Sequence, residues 1–272
     1  MKIRINRRNY SLARSFQFSG GEVQIRLPKM IIQEGDTIYI STLLNSPNAI
    51  MEMLLVDDAL HRNLPKNVKT VLEVYYMPYA RQDRVCYEGE AYSSKVMLKL
   101  LEGTQFNFIR FADLHSYQAM PDRFVELSQL DIFKYNPSIL DNVDVIVSPD
   151  AGATDKAKAI GEWFNLPISQ SEKVRNTDTG ELTNITIDLS VDIKNKNVMI
   201  VDDICDGGGT FCWTAKELKK FEPTSISLYI THGIFSKGTD CLFAAGISHV
   251  VTTDSFYVKT EDSDRRIEVI SL

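Results

Sequence analysis

Residues 197–220, NVMIVDDICDGGGTFCWTAKELKK, pass from an apolar run through acids and glycines into a helical pattern. Val198, Met199, Ile200 and Val201 are too few for a helix and suit a buried strand. Asp202 and Asp203 stand at its end, Asp206, Gly207, Gly208 and Gly209 follow, and Thr210 opens a pattern running through Ala215, Leu218 and Lys220. A strand, a glycine turn and a helix start together aim backbone N–H groups at a phosphate. Two familiar versions are excluded. No Gly-x-x-x-x-Gly-Lys-Ser/Thr string occurs, and Cys212 stands where a dinucleotide fingerprint needs its third glycine. Neither version explains two acids ahead of the turn. Carboxylates repel phosphate, so these must hold hydroxyls or a cation. A ribose 5-phosphate unit meets both demands, with its phosphate in the glycine nest and its 2- and 3-hydroxyls donating to the acids. Magnesium between the acids and a further phosphate meets them too, and a plain metal-binding acid pair stays open at this point.

The rest of the chain repeats the alternation of strand and helix. Strands are expected within 1–27 and at 36–43, 68–76 and 106–112, with helices at 49–60 and 93–101. Further on, 143–147 reads as a buried strand and 155–164 as a helix with Ala157, Ile160, Trp163 and Phe164 on its buried side. Residues 169–184 are polar and aperiodic, which predicts a long mobile loop. Strands return at 225–232 and 249–253. The expectation is an α/β chain of two domains, each a mostly parallel sheet flanked by helices, divided near 135–142 into 1–138 and 139–272.

Composition bounds the function. A net charge of −6, from 30 basic and 36 acidic residues, argues against nucleic-acid binding, which needs a basic face. The basic N-terminus has no apolar core behind it, as a signal peptide requires, and no apolar run approaches a bilayer's thickness. A cytoplasmic protein with no membrane partner is expected. Cys86, Cys205, Cys212 and Cys241 are scattered without Cys-x-x-Cys spacing and read as free thiols.

VDDICDGGGT resembles the ribose-phosphate binding loop of the phosphoribosyltransferase superfamily. It is most similar to ribose-phosphate diphosphokinases, the PRPP synthetases, whose loop reads Asp-Asp-x-x-Asp-Thr-Gly-Gly-Thr; Gly207 stands at the threonine. Six further stretches carry the likeness. FSGGE at 18–22 resembles Phe-Ser-Asp-Gly-Glu, which in the family reaches into the ATP site of a neighbouring subunit. This implies Phe18 stacked on adenine, Glu22 accepting from the base, Gly20 replacing an aspartate, and a homo-oligomer with its ATP site at a subunit interface. YARQDR at 79–84 resembles the family's ATP loop, implying that Arg81, Gln82 and Asp83 face ATP; an arginine plane and fork suit base and phosphate. Taken alone, that run also reads as a solvated loop. DLHS resembles the segment that places His115 on magnesium or a phosphate, and SPDAG places Asp150 at the second metal position, with Ala153 replacing a glycine. Lys173 and Arg175 keep the family's Lys-x-Arg spacing, implying that they neutralise the moving diphosphoryl group. Finally, ITHGIFSKGT resembles the family's Thr-His-x-x-x-Ser-Gly segment.

The likeness spans Phe18 to about Ser255. It implies two phosphoribosyltransferase-like domains and Mg2+-dependent transfer of the β,γ-diphosphoryl group of ATP to the anomeric hydroxyl of ribose 5-phosphate, giving PRPP and AMP. Asp202 and Asp203 would hold the ribose diol, and Asp206, Gly207, Gly208, Gly209 and Thr210 the 5-phosphate. Losing threonine's hydroxyl at Gly207 empties space beside that phosphate, so an acceptor substituted there, such as ADP-ribose, is the alternative. A non-catalytic regulatory homologue and a PRPP-consuming phosphoribosyltransferase are the other readings.

Overall fold

The computed structural model describes residues 1–10, 14–116, 120–175, 182–188 and 191–272, and for 172–175 and 182–188 the backbone path alone. The chain forms two compact units, Met1–Leu127 and Ser128–Leu272.

In the first unit, β1 (Lys2–Ile5), β2 (Arg8–Tyr10), β5 (Thr37–Ser41), β6 (Lys69–Glu73), β7 (Phe108–Ala112) and β8 (Phe124–Leu127) make one sheet in the order β2-β1-β5-β6-β7-β8. Pairs from β5 to β8 are parallel, while β1 and β2 add an antiparallel edge. Ile38, Ile40, Leu72, Ile109 and Phe111 are fully buried in its strands, and Met53, Val56, Met97 and Leu101 from α1 (Pro47–His61) and α2 (Ser93–Glu102) join the same core. Ser46 starts α1 by accepting from Ala49 N at 3.2 Å, with Pro47 beside it in the first turn. A separate hairpin, β3 (Arg14–Gln17) with β4 (Val23–Arg26), rests against α1 through β4.

His61 closes the C-terminal end of α1, with its Nδ1 3.0 Å from Asp57 and its Nε2 3.0 Å from Thr70 Oγ1. Burial works against its proton, but the hydrogen bonds and charge of Asp57 outweigh burial and hold its pKa above the ordinary value. A raised folded-state pKa confers stability that is complete below the unfolded value, about 6.5, and is lost as pH rises through the folded value. Thermal denaturation is expected to show this decline above about pH 6.5, and to show less of it in Asp57→Asn. An unchanged slope in the variant would assign the decline elsewhere.

In the second unit, β9 (Val145–Ser148), β10 (Ile168–Arg175), β11 (Leu182–Asp188), β12 (Asn197–Cys205), β13 (Ser225–Gly233), β14 (His249–Thr253) and β15 (Ile267–Ile270) lie in the order β11-β10-β9-β12-β13-β14-β15. Every pair is parallel except β10 with β11. Strand β12 is central, and its apolar run is at most 2% exposed. Phe211, Ala215 and Leu218 of α5 (Gly209–Lys219) cover one face of the core, and Leu242 and Ala245 of α6 (Asp240–Ala245) pack into it as well.

The sequence-based expectations need three corrections here. Residues 169–184 do not form a loop throughout: 168–175 extend β10 and 182–188 return as β11, because backbone pairing from Gln170↔Asp188 to Arg175↔Leu182 needs no apolar periodicity. The units divide at Leu127/Ser128, ahead of α3 (Gln129–Tyr135), whose Phe133 packs tilted against Tyr229 with centroids 4.4 Å apart. In α4 (Thr154–Phe164), Ala157 and Ile160 are buried, but Trp163 is 61% exposed and lies under the Lys134 ammonium at 4.0 Å. A cation over its face gives the indole a partner at the surface.

Candidate active site

The glycine loop lies at the C-terminal end of β12, where open parallel sheets collect ligands. Gly208 has φ +76, a left-handed turn that an L side chain resists, and it precedes the first residue of α5. No side chain caps that helix. The Cys212 amide donates to the Gly208 carbonyl at 3.0 Å, while among the described residues the amides of residues 207–211 have no protein acceptor, so they present donors and the positive end of a helix. A side chain at 209 would meet nothing within 4 Å. Position 207 differs: a β-carbon there would lie 3.4 Å from Lys237 Cδ and 3.5 Å from its Cε. The space expected beside Gly207 therefore holds the carbon stem of Lys237.

Each acid is held. Asp202 Oδ1 accepts from the Asp203 amide at 2.8 Å, and Gln129 Nε2 donates to the Asp202 carbonyl at 3.0 Å. Asp203 is 6% exposed, and its Oδ2 is 3.2 Å from Lys156 Nζ on α4. Asp206 accepts from the Ser236 hydroxyl. Lys156, Gln129, Ser236 and Lys237 all escape the sequence reading. Lys156 alone left a signal, being a cation in the first turn of a helix, where acids are favoured.

Strand β9 runs beside β12, pairing Ile200 with Val147, so Asp150 emerges at the same edge of the sheet. Its Oδ1 accepts from Ala153 N at 3.1 Å, and its carbonyl accepts from the hydroxyls of Ser148 and Thr154. Ala153 adopts φ −84 and is 3% exposed, so its methyl group is buried. Strand β10 pairs with β9 on the other side and carries Lys173 and Arg175 past that edge as backbone positions; their side chains lie outside the described part.

Three of the four cysteines, Cys205, Cys212 and Cys241, lie near one another. Cys241 Sγ is 4.0 Å from the Gly207 carbonyl and 3.3 Å from where a β-carbon of residue 208 would lie. Burial, then a hydrogen bond with the Cys241 thiol, pushes Cys212 up to about 11, and burial raises Cys205 further. All four cysteines are free. The packing of α6 on α5 brings Cys212 and Cys241 together, which sequence spacing cannot reveal.

In the first unit, residues 18–22 form the tip of the β3–β4 hairpin, closed by Phe18 N donating to Glu22 O at 2.9 Å. Phe18 is 54% exposed and edge-on to Phe16 at 5.4 Å. A β-carbon on Gly20 would collide with the Glu22 carboxylate, so this glycine lets Glu22 fold back over the tip. Arg81 and Gln82 are exposed in the turn after β6, and Asp83 is half-buried. Ala80, next to Arg81, lines a small cleft with Ser94, Leu98 and the exposed His115, which joins the 79–84 turn to the end of β7. Among the described residues no three His, Cys, Asp or Glu side chains gather as a metal-ligating group.

Fold and loop together define a phosphoribosyltransferase-like α/β protein. The sequence matches the N-terminal domain of ribose phosphate pyrophosphokinase over residues 6–104 and the phosphoribosyl transferase domain over residues 127–242. It is 33% identical over 246 residues to a ribose-phosphate pyrophosphokinase of Pyrococcus furiosus, covering 88% of this chain and 84% of that one. It is 32% identical to the Mycoplasma genitalium protein of the same name, covering 83% of this chain and 68% of that one. The crystal structure of phosphoribosylpyrophosphate synthetase from Mycobacterium smegmatis shares the fold, with a TM-score of 0.77 over 96% of this chain and 86% of that one, at 23% identity. The chain belongs to the ribose-phosphate pyrophosphokinase family, a family of diphosphotransferase enzymes. No helix among the described residues is long and apolar enough to cross a membrane.

Proposed function

We propose that the protein transfers the β,γ-diphosphoryl group of ATP to the anomeric hydroxyl of ribose 5-phosphate. The hydroxyl oxygen bonds to the β-phosphorus, the bond from that phosphorus to the α-bridging oxygen breaks, the hydroxyl proton is released, and AMP leaves. The observation that carries this reading is the glycine loop: uncapped amides and a left-handed Gly208 follow two acids whose positions are set by Lys156 and by the strand itself. Asp202 and Asp203 accept from the ribose diol, and residues 206–210 bind the 5-phosphate.

Magnesium suits this donor set. It is commonly held by one or two carboxylates together with substrate phosphates and water, and bound here it would screen phosphate charge. Asp150 would supply a carboxylate, and His115 would contact the metal or a phosphate, as the resemblance implies. Lys173 and Arg175 take positions beyond the sheet edge from which cations can neutralise the moving diphosphoryl group. Arg81, Gln82 and Asp83 bind ATP near His115. The exposed Phe18 and the folded-back Glu22 complete the adenine pocket of a neighbouring copy, which makes the active assembly a homo-oligomer.

A second acceptor is favoured by one feature. Beside Gly207 the wall is a lysine stem and position 209 faces open space, so a group attached to the 5-phosphate meets no rigid side chain there. Chromatographic measurement of AMP from ATP with magnesium and either ribose 5-phosphate or ADP-ribose tests both. AMP and PRPP are expected with ribose 5-phosphate. A strong preference for ADP-ribose would transfer the assignment to the substituted acceptor, and no AMP with either would end the catalytic reading.

A further inference from the structure

The loop after β13 is tied to the glycine nest at several points. The amides of Ile234 and Phe235 donate to the Cys205 carbonyl at 2.9 and 3.0 Å, the Ser236 amide donates to the Asp206 carbonyl at 3.2 Å, and its hydroxyl donates to the Asp206 carboxylate. The next residue, Lys237, is exposed, and its stem crosses Gly207 at ordinary contact distance. Among the described residues its ammonium has no ion pair or hydrogen bond, so its charge is not already neutralised there. Both residues in contact depart from the resembled motifs. Glycine stands at 207 in place of threonine, and lysine at 237 in place of glycine. A β-carbon at position 207 would touch the stem, so a threonine branch aimed at it would push the stem aside.

We propose that Lys237 binds the 5-phosphate end of the acceptor, its ammonium taking over the role that the missing hydroxyl at position 207 would have played. The nest offers amides without formal charge. A phosphate monoester carries about −1.5 to −2 at neutral pH, and an ammonium pairs with it more strongly than a neutral hydroxyl does. The exchange also makes acceptor binding depend on salt, because an exposed ion pair is screened. This assignment rests on the reading of residues 206–210 as the 5-phosphate site.

The test is calorimetric binding of ribose 5-phosphate, and of ADP-ribose in a parallel arm, to the full chain, to Lys237→Met and to Lys237→Arg. Methionine keeps most of the stem and removes the charge. It is expected to weaken binding of the acceptor about tenfold, the weight of a charge-assisted hydrogen bond at a partly solvated site, and to flatten the salt dependence. Arginine should restore most of the affinity, and ATP affinity should not change. A second variant, Gly207→Thr on the Lys237→Met background, should regain part of the loss. Equal affinity of Lys237→Met and the parent, or equal loss toward ATP and acceptor, overturns the assignment. A parent that binds ribose 5-phosphate without forming AMP removes the catalytic reading but leaves this comparison intact. A parent that binds neither acceptor overturns the assignment itself.

Discussion

Asp203→Ala is expected to cost about 3–5 kcal/mol of folding stability, in the range for breaking a buried ion pair from one side. Asp203 and Lys156 have side chains 8% and 16% exposed, with Nζ and Oδ2 3.2 Å apart. Deleting the carboxylate removes an ion-pair partner from an ammonium whose side chain is only 16% exposed, where water cannot fully hydrate it. Urea unfolding of Asp203→Ala, Lys156→Met and the double variant separates structure from chemistry. The double variant should recover much of the stability, because an apolar pair replaces a broken ion pair. Its turnover should stay low, at least a hundredfold below the parent, because a carboxylate meant for the ribose diol is still missing. Recovery of activity together with stability would reduce Asp203 to a scaffold residue.

The second large effect is expected at Gly208. Its φ of +76 costs a residue with a side chain about 1–2 kcal/mol, and the new β-carbon would sit 3.1 Å from Leu242 Cδ2 and 3.3 Å from Cys241 Sγ. Gly208→Ala should therefore lower the melting temperature and raise the acceptor KM at least tenfold, since relief of the strain moves the amides that face the phosphate. Gly209→Ala is the control. That β-carbon has nothing within 4 Å, so stability should change by less than about 0.5 kcal/mol. An acceptor KM unaffected at both positions would remove phosphate from the loop.

Much of the second unit was legible because its signals are local. The apolar run of β12, the acids at its end and the glycines before α5 occupy one continuous stretch, and the strand and helix form where periodicity places them. Helix α1 was likewise marked by its own apolar spacing within 49–60, though it begins earlier, at Pro47. Strands β10 and β11 were missed because ladder hydrogen bonds join backbone groups and impose no apolar alternation. Trp163 was placed inside by helical spacing, yet it lies on the surface, where Lys134 from α3 covers its ring.

The sequence by itself determined the alternation of strands and helices, the acid–glycine loop and the family, because each depends on residues close together in the chain. Only the tertiary structure decided what surrounds that loop. Lys156 reaches Asp203 across 47 positions, Ser236 reaches Asp206 across 30, and Lys237 fills the space beside Gly207. Spacing along the chain carries no record of such contacts, because parallel strands bring distant crossover loops together at one edge of the sheet. A glycine that in sequence looked like a vacancy is, in the folded protein, the seat of a lysine.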